Sequence, residues 1–267
     1  MNLEVLISCM NQENLEIVKR SKITTDVLVV NQADSESIDE VRENSQRIRM
    51  ITTTERGLSR SRNMALKYSQ GDICLLCDDD EIFESDYKEK ILKSFEKIRE
   101  ADVIAFDVEN KQTRLGNKIC RIGYLKSLKL SSCQIAFRRE AILNKKIYFD
   151  IYMGAGSGNG CGEENKFLLD LLRAGIKIYY VPIQIAKLDT NDSTWFEGFD
   201  ALFFYQRGSA TRYMLGFWPS IVYGMYYILV KRELYSSAIS SKDAFKWLLI
   251  GIRDNNILQQ KNKGKNE

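Results

Sequence analysis

Over its first two hundred residues the chain alternates short apolar runs with polar or amphipathic segments, and this alternation limits the fold more than any other feature. Residues 3–8, 26–30, 48–52, 72–77 and 101–108 are apolar over the length of a strand. Between them, 11–20, 35–46, 58–69 and 86–99 have helical length and patterning. The clearest helix is 86–99: Tyr87, Ile91, Leu92, Phe95 and Ile98 form one stripe, and Asp86 and Glu89 have capping-box spacing. Alternating strands and helices predict an α/β fold with a mostly parallel sheet covered by helices on both faces. From about residue 111 the pattern loosens, with short strands expected at 118–122 and 134–138 and a glycine-dense loop at 154–162. A helix over 163–174 stops at Gly175, and a last strand over 177–181 ends before Pro182.

The 267 residues include no histidine, which excludes Ser-His-Asp and Cys-His catalytic pairs and imidazole metal ligands. Acid–base work near neutral pH falls to carboxylates, lysine, tyrosine, cysteine or a metal-bound water. A formal charge of +3 gives no electrostatic reason to expect nucleic acid as a partner. The six cysteines do not form a disulfide framework, and the start of the chain has no basic region or long apolar run of a secretory leader. Reduced thiols in the cytoplasm are therefore expected. Cys74 and Cys77 have redox-motif spacing, but they lie in a strand-like run, where residues three apart face opposite ways.

Three clusters can carry chemistry. The apolar run Ile73-Cys74-Leu75-Leu76-Cys77 ends in Asp78-Asp79-Asp80-Glu81. Ligands bind beyond the carboxyl ends of parallel strands, and stacked like charges there favour a hard divalent cation such as Mn²⁺ or Mg²⁺. The plain alternative is a solvated acidic turn opening the next helix. Gly162-Glu163-Glu164 begins a helix behind the glycine loop, where a carboxylate serves either as a general base or as a partner for the helix dipole. Arg56-Gly57-Leu58-Ser59-Arg60-Ser61-Arg62-Asn63 brings cations and hydroxyls to a third helix start, suited to an anionic nucleotide or a sugar. The glycines of 154–162 alternate and do not form a dinucleotide fingerprint, and the chain has no P-loop motif.

These motifs, in this order, resemble family 2 glycosyltransferases of the GT-A fold. The resemblance rests on strands ending Ile7-Ser8-Cys9-Met10-Asn11 and Val29-Val30-Asn31-Gln32-Ala33-Asp34, then Gly57 with Ser61-Arg62-Asn63. Cys77-Asp78-Asp79-Asp80 and Gly162-Glu163-Glu164 with Leu172–Pro182 complete it over roughly residues 1–200. A later run, Asp192-Ser193-Thr194-Trp195-Phe196-Glu197-Gly198-Phe199, is similar to a segment of bacterial surface-polysaccharide members.

The resemblance implies an inverting transfer from a nucleotide-diphosphosugar, a UDP-sugar above others, to a hydroxyl of a glycan or lipid-linked acceptor in surface or capsular polysaccharide synthesis. It implies that Asp78 and Asp80 match a D-x-D motif: Asp80 would bind Mn²⁺ or Mg²⁺, and Asp78 the donor ribose or the cation through water. It implies donor-nucleotide contacts from Ser8, Asn11, Asn31, Asp34, Arg62 and Asp79, and Glu164 as general base with Glu163 as the alternative. The chain departs from the pattern in three places. Asn31 stands where an aspartate is usual, Glu164 is one methylene longer than the usual aspartate, and the histidine that often adds a metal ligand is absent, leaving Asp189, Asp192 or water as substitutes. The alternatives are a non-catalytic sugar-nucleotide-binding relative and a metal-dependent phosphohydrolase of the haloacid dehalogenase type. The latter needs Thr or Val where this chain has Ile82.

The expected organisation is a GT-A-type catalytic domain over 1–205, a helical C-terminal appendage over 206–255 and a polar basic tail over 256–267. Residues 213–230 carry no charged side chain, and Lys231 and Arg232 follow at once. Three readings stay open for this stretch: peripheral membrane contact, a plain appendage on the core, and a membrane span. The expected location is the cytoplasm or the cytoplasmic face of the cell membrane.

Overall fold

A computed structural model describes residues 1–43, 45–110, 115–160, 162–189 and 198–263. The chain divides into two compact units, Met1–Phe149 with Phe167–Ser193, and Asp150–Lys166 with Thr194–Glu267.

The first unit is built on a ten-stranded sheet. In chain order it runs β1 (Leu3–Met10), α1 (Glu16–Arg20), β2 (Asp26–Gln32), β3 (Ser37–Glu43), β4 (Gln46–Thr53), α2 (Leu58–Tyr68), β5 (Ile73–Cys77) and β6 (Glu81–Phe83). There follow α3 (Tyr87–Lys97), β7 (Val103–Glu109), β8 (Cys120–Arg121), α4 (Tyr124–Ser127), a 3₁₀ turn at Ser132–Gln134, β9 (Ile135–Arg138) and α5 (Arg139–Lys145). The helix α6 (Glu163–Arg173), which begins in the second unit, and β10 (Ile178–Leu188) come last. The strand order is β3-β4-β2-β1-β5-β9-β7-β10-β6, with β8 beside β10. Strands β4, β2, β1 and β5 are mutually parallel, as are β7 and β10. Because β3, β6, β8 and β9 pair antiparallel, the α/β sheet is mixed, with its parallel block in the N-terminal half.

The period of two along each strand sorts the core into two layers. Val5, Ile7, Val27, Val29, Leu75 and Cys77 face one side, against Ile17 and Val18 of α1 and Tyr87, Ile91 and Phe95 of α3. Leu6, Leu28, Val30, Cys74 and Leu76 face the other, against Ala65 and Leu66 of α2 and Phe167, Leu168 and Leu171 of α6. Cys74 and Cys77 thus lie on opposite faces, as their spacing requires. Burial pushes the Cys74 thiol up to about 12 and the Cys77 thiol well above its ordinary value, so neither is a nucleophile at neutral pH.

Four local expectations are corrected. The charged segment 35–46 forms not a helix but the edge strand β3, exposed along its whole length and paired antiparallel with β4. Pairing with β4 and the Arg47–Glu40 ion pair at 2.7 Å outweigh the weak helix preference of its acids, and the charges suit an unprotected edge. The polar helix over 11–20 shrinks to the single turn of α1. Asp86 precedes α3 without a capping bond; it pairs instead with Lys90 at 2.9 Å, and Glu89 with Lys93. The last strand does not stop at Pro182. β10 continues to Leu188, and its register against β7 shifts between Tyr180 and Gln184, a bulge that takes the missing N–H of proline out of the ladder.

The second unit contains α7 (Ala201–Leu215), α8 (Phe217–Val230), α9 (Arg232–Tyr235), α10 (Ser241–Asp254) and α11 (Asn256–Lys263). The uncharged stretch 213–230 is broken at Gly216, whose φ of +87° ends α7 and starts α8. Among the described residues no helix is long and apolar enough to cross a membrane. Phe204, Tyr227, Tyr235, Ala244, Leu248 and Ile252 make the core of this unit. α7 and α10 approach closely because glycines face each other across the contact. A Cβ on Gly208 would lie 2.2 Å from the Leu248 carbonyl oxygen, and one on Gly251 2.0 Å from that of Tyr205. Since backbone cannot yield to a methyl group, Gly251→Ala is expected to destabilise the second unit by about 2–3 kcal/mol, read from urea unfolding followed by tryptophan fluorescence.

Candidate active site

The parallel block aligns the carboxyl ends of β1, β2, β4 and β5 along one edge, and the motifs of the first unit lie there. Ser8 is buried near the end of β1, and the Ser61 hydroxyl of α2 donates to its oxygen at 2.9 Å. Asn11 follows β1 with φ +51°, and its N–H donates to the Gln32 carbonyl at 3.0 Å. The Asn31 side chain is buried and fully engaged: its amide nitrogen donates to the Gln12 carbonyl at 2.8 Å, and its oxygen accepts from the Gln12 N–H at 2.9 Å. Asparagine, a donor and an acceptor at once, therefore fixes the backbone just beyond β1. An aspartate, acceptor only, would leave that carbonyl unmet. Asp34 is exposed and pairs with Arg56, whose guanidinium also donates to the Ala33 carbonyl. The side-chain oxygen of Gln32 accepts from the Gly57 N–H at 2.6 Å and so anchors the start of α2.

Arg62 is the centre of this arrangement. Only 3% exposed, its guanidinium donates at 2.8 Å to Oδ1 of Asp78 and at 2.8 Å to Oγ of Ser132, and it lies 5.5 Å from the Phe149 ring centroid. The Ser132 hydroxyl donates at 3.0 Å to the other oxygen of Asp78. Both oxygens of Asp78 are thus held by protein donors. Asp79 and Asp80 are half-buried. The Asp79 carbonyl accepts from Arg20 at 3.1 Å, and the Asp80 carbonyl from the Asp189 N–H at 2.8 Å. That last bond continues the β6–β10 ladder, in which Leu188 faces Glu81, and it sets Asp189 against the D-x-D turn. Asp192 lies outside the described residues, as do residues 192–197 of the later polysaccharide-like segment.

Glu81, counted from sequence only as the end of an acidic run, is 1% exposed on β6. One of its oxygens accepts from the Asp78 N–H at 3.1 Å, and the other is buried without a partner. Burial first, then the charge of Asp78, pushes its carboxyl well above the usual range. It braces the turn through that bond to the Asp78 backbone. Ser132 and Glu81 are the residues sequence reasoning missed. No pattern distinguishes Ser132 from the serine beside it, whereas the β-branched Ile82 after Glu81 was the signal that the acidic run enters a strand rather than a loop.

Glu163 and Glu164 open α6 and belong to the second unit. Glu163 is buried and Glu164 half-buried. Gly154, Gly156, Gly158 and Gly162 in the preceding loop all have positive φ, so the alternate glycines have a conformational cause. The terminal helix α11 ties this loop down. The Asn159 amide donates to the Gln260 side chain at 2.8 Å, and the Lys261 ammonium donates at 2.8 Å to Asp150 and at 2.6 Å to the Tyr213 hydroxyl. Tyr213 in turn donates to Asp150 at 2.5 Å.

An α/β sheet with a D-x-D turn at the edge of its parallel block, locked by an arginine from the preceding helix, defines a GT-A-type protein. The family model described as Glycosyl transferase family 2 matches residues 4–155, and the chain belongs to that family. TarS of S. aureus, residues 1–349, solved with UDP-GlcNAc, has a similar fold: TM-score 0.62 at 14% identity, over 92% of this chain and 78% of that one. The mannosyltransferase PcManGT of Pyrobaculum calidifontis, solved with GDP-Man and Mn²⁺, gives TM-score 0.53 at 11% identity, over 94% and 86%. No curated protein matches the sequence.

Removing Arg62 strands a half-buried Asp78. Arg62→Ala is expected to cost about 3 kcal/mol in urea unfolding, and Arg62→Lys to recover less than half, since one ammonium cannot hold Asp78 and Ser132 together. The Asp150 contact carries a pH signature. Burial raises its carboxyl, but the Lys261 and Tyr213 hydrogen bonds outweigh burial and hold it below 3.8. An acid whose folded value is lowered adds stability above its unfolded value and loses it as pH falls through the folded one. Lys261→Met should therefore cost about 2 kcal/mol at pH 7, a deficit that shrinks below pH 3.8 when unfolding is followed against pH.

Proposed function

We propose that this chain is an inverting glycosyltransferase that moves a sugar from a nucleotide-diphosphosugar to a hydroxyl of a glycan or lipid-linked acceptor in bacterial surface polysaccharide synthesis. The observation that carries the reading is the Arg62–Asp78–Ser132 node at the carboxyl edge of the parallel block, in a chain of family 2. The solved structures of similar fold, one holding UDP-GlcNAc and one GDP-Man with Mn²⁺, support such a donor, with a UDP-sugar as our first assignment.

Ser8, Asn11, Asn31, Asp34 and Asp79 line the route assigned to the nucleotide. Asn31 contributes through the backbone it fixes, and Asp34 through an exposed carboxylate that a ribose can reach. Among the described residues no three acidic or cysteine side chains gather as a metal cage. Two carboxylates, Asp78 and Asp80, nonetheless suit Mn²⁺ or Mg²⁺, which is often held by one or two carboxylates together with substrate phosphates. We assign Asp80 as the direct ligand, and Asp78, whose oxygens accept from Arg62 and Ser132, orients the turn and meets the cation through water or the donor ribose. The cation, when bound, neutralises the charge that grows on the leaving diphosphate. The Arg62 guanidinium adds fixed positive charge beside it. Glu164 takes the proton of the acceptor hydroxyl; it is more accessible than Glu163, whose burial suits a structural part. We assign the protein to the cytoplasm, at the cytoplasmic face of the membrane when the acceptor is lipid-linked.

The test is a panel of UDP-, GDP- and dTDP-sugars with and without Mn²⁺, followed by nucleotide release and donor-dependent thermal shift. One nucleotide should bind, more tightly with metal, and Asp80→Ala should abolish the metal effect. Glu164→Gln should keep binding and lose at least 100-fold in turnover, the scale of a general base. Unchanged turnover in Glu164→Gln removes the base assignment. Binding without transfer to any acceptor marks a non-catalytic relative, and phosphate release from simple phosphomonoesters marks a phosphohydrolase.

A further inference from the structure

Helix α8 presents two opposite faces. Ser220, Gly224, Tyr227 and Ile228 are buried in the second unit, with the Leu248 side chain packed against Gly224. On the other side, Trp218, Val222, Met225, Tyr226, Leu229 and Val230 follow helical spacing and stand in solvent, Trp218 74% and Leu229 75% exposed. Apolar residues scattered singly on a surface are ordinary, but a continuous stripe of this kind marks an interaction surface. The helix carries no charge along its length, and Lys231 and Arg232 stand at its end.

We infer that this stripe is a lipid-binding surface that lays α8 flat in the headgroup region of an anionic bilayer. Helix length, interfacial aromatic side chains and local charge argue for a bilayer surface. Fourteen residues reach about 21 Å, short of the roughly 30 Å hydrocarbon core, so the helix lies on a membrane rather than through it. Trp218 and Tyr226 are the side chains that favour the boundary between headgroups and acyl chains. Residues 201–263 hold nine Lys and Arg against three Asp and Glu, although the whole chain stands at +3. That excess, with Lys231 and Arg232 at the end of the stripe itself, attracts anionic lipid. The lipid-linked acceptor proposed above gains a physical site of encounter from this surface. Vesicle binding needs neither donor nor acceptor, however, so it stands or fails separately from the transferase reading.

The experiment is flotation of the full chain with vesicles of phosphatidylcholine alone and of phosphatidylcholine containing phosphatidylglycerol. Binding to the anionic vesicles is expected, at least tenfold weaker on phosphatidylcholine alone or in 0.5 M salt. The double variant Val222→Glu/Leu229→Glu should lose at least tenfold with an unchanged melting temperature, since both side chains already face solvent. Should that variant fold poorly, quenching of the native chain's fluorescence by brominated lipid, absent in Trp218→Phe, reads the same contact. Absence of flotation on both vesicles, or equal flotation of the folded double variant, overturns the inference. So does a concentration-dependent dimer in sedimentation that the double variant abolishes, which would give the stripe to a second copy.

Discussion

A single buried guanidinium joins three segments of the first unit that are far apart in sequence. Arg62 projects from α2, Asp78 from the end of β5 and Ser132 from the 3₁₀ turn before β9, and the three side chains share one set of hydrogen bonds. Three aspartates in a row at a strand end repel one another. One of them can be half-buried here because the Arg62 guanidinium meets one of its oxygens and the Ser132 hydroxyl, itself held by Arg62, meets the other. The Phe149 ring beneath the guanidinium keeps that cation in place. Without the pair, the edge of the sheet that carries the motifs would hold uncompensated charge.

Around this node buried polar side chains hold the backbone of the turn and of the loop after β1. Glu81, its carboxyl raised by burial, accepts from the Asp78 backbone and fixes the turn. Asn31, at a position where an aspartate is usual, fixes the loop after β1 through both halves of its amide. In the second unit the same economy applies to the loop ahead of α6. Its glycines permit the turns, while Asp150, Tyr213, Lys261 and the Asn159–Gln260 pair limit which turns are adopted.

Much of this was legible beforehand. Most of the order of strands and helices, the two faces of β5 seen in Cys74 and Cys77, and the acidic turn at the end of β5 follow from local pattern. What was not legible depended on a partner remote in sequence. Segment 35–46 carries acids with some helix preference, and only its pairing with β4 makes it a strand. Pro182 is a stop signal in isolation, but a bulge lets β10 pass it because β7 and β6 supply partners on either side. Ser132 has no signature at all, since its role exists only once β5 and β9 are neighbours.

By itself the sequence determined the alternation that makes an α/β sheet, the absence of histidine that confines acid–base work to other groups, and the acidic strand end. These are properties of composition and of periods of two and 3.6 residues, which local sterics and burial translate directly into structure. Tertiary structure alone decided which carboxylate is locked, which is buried, and which face of α8 is left in solvent. Those outcomes depend on distance and desolvation between residues the sequence does not place side by side. A few ångströms of separation decide whether a charge is matched or stranded.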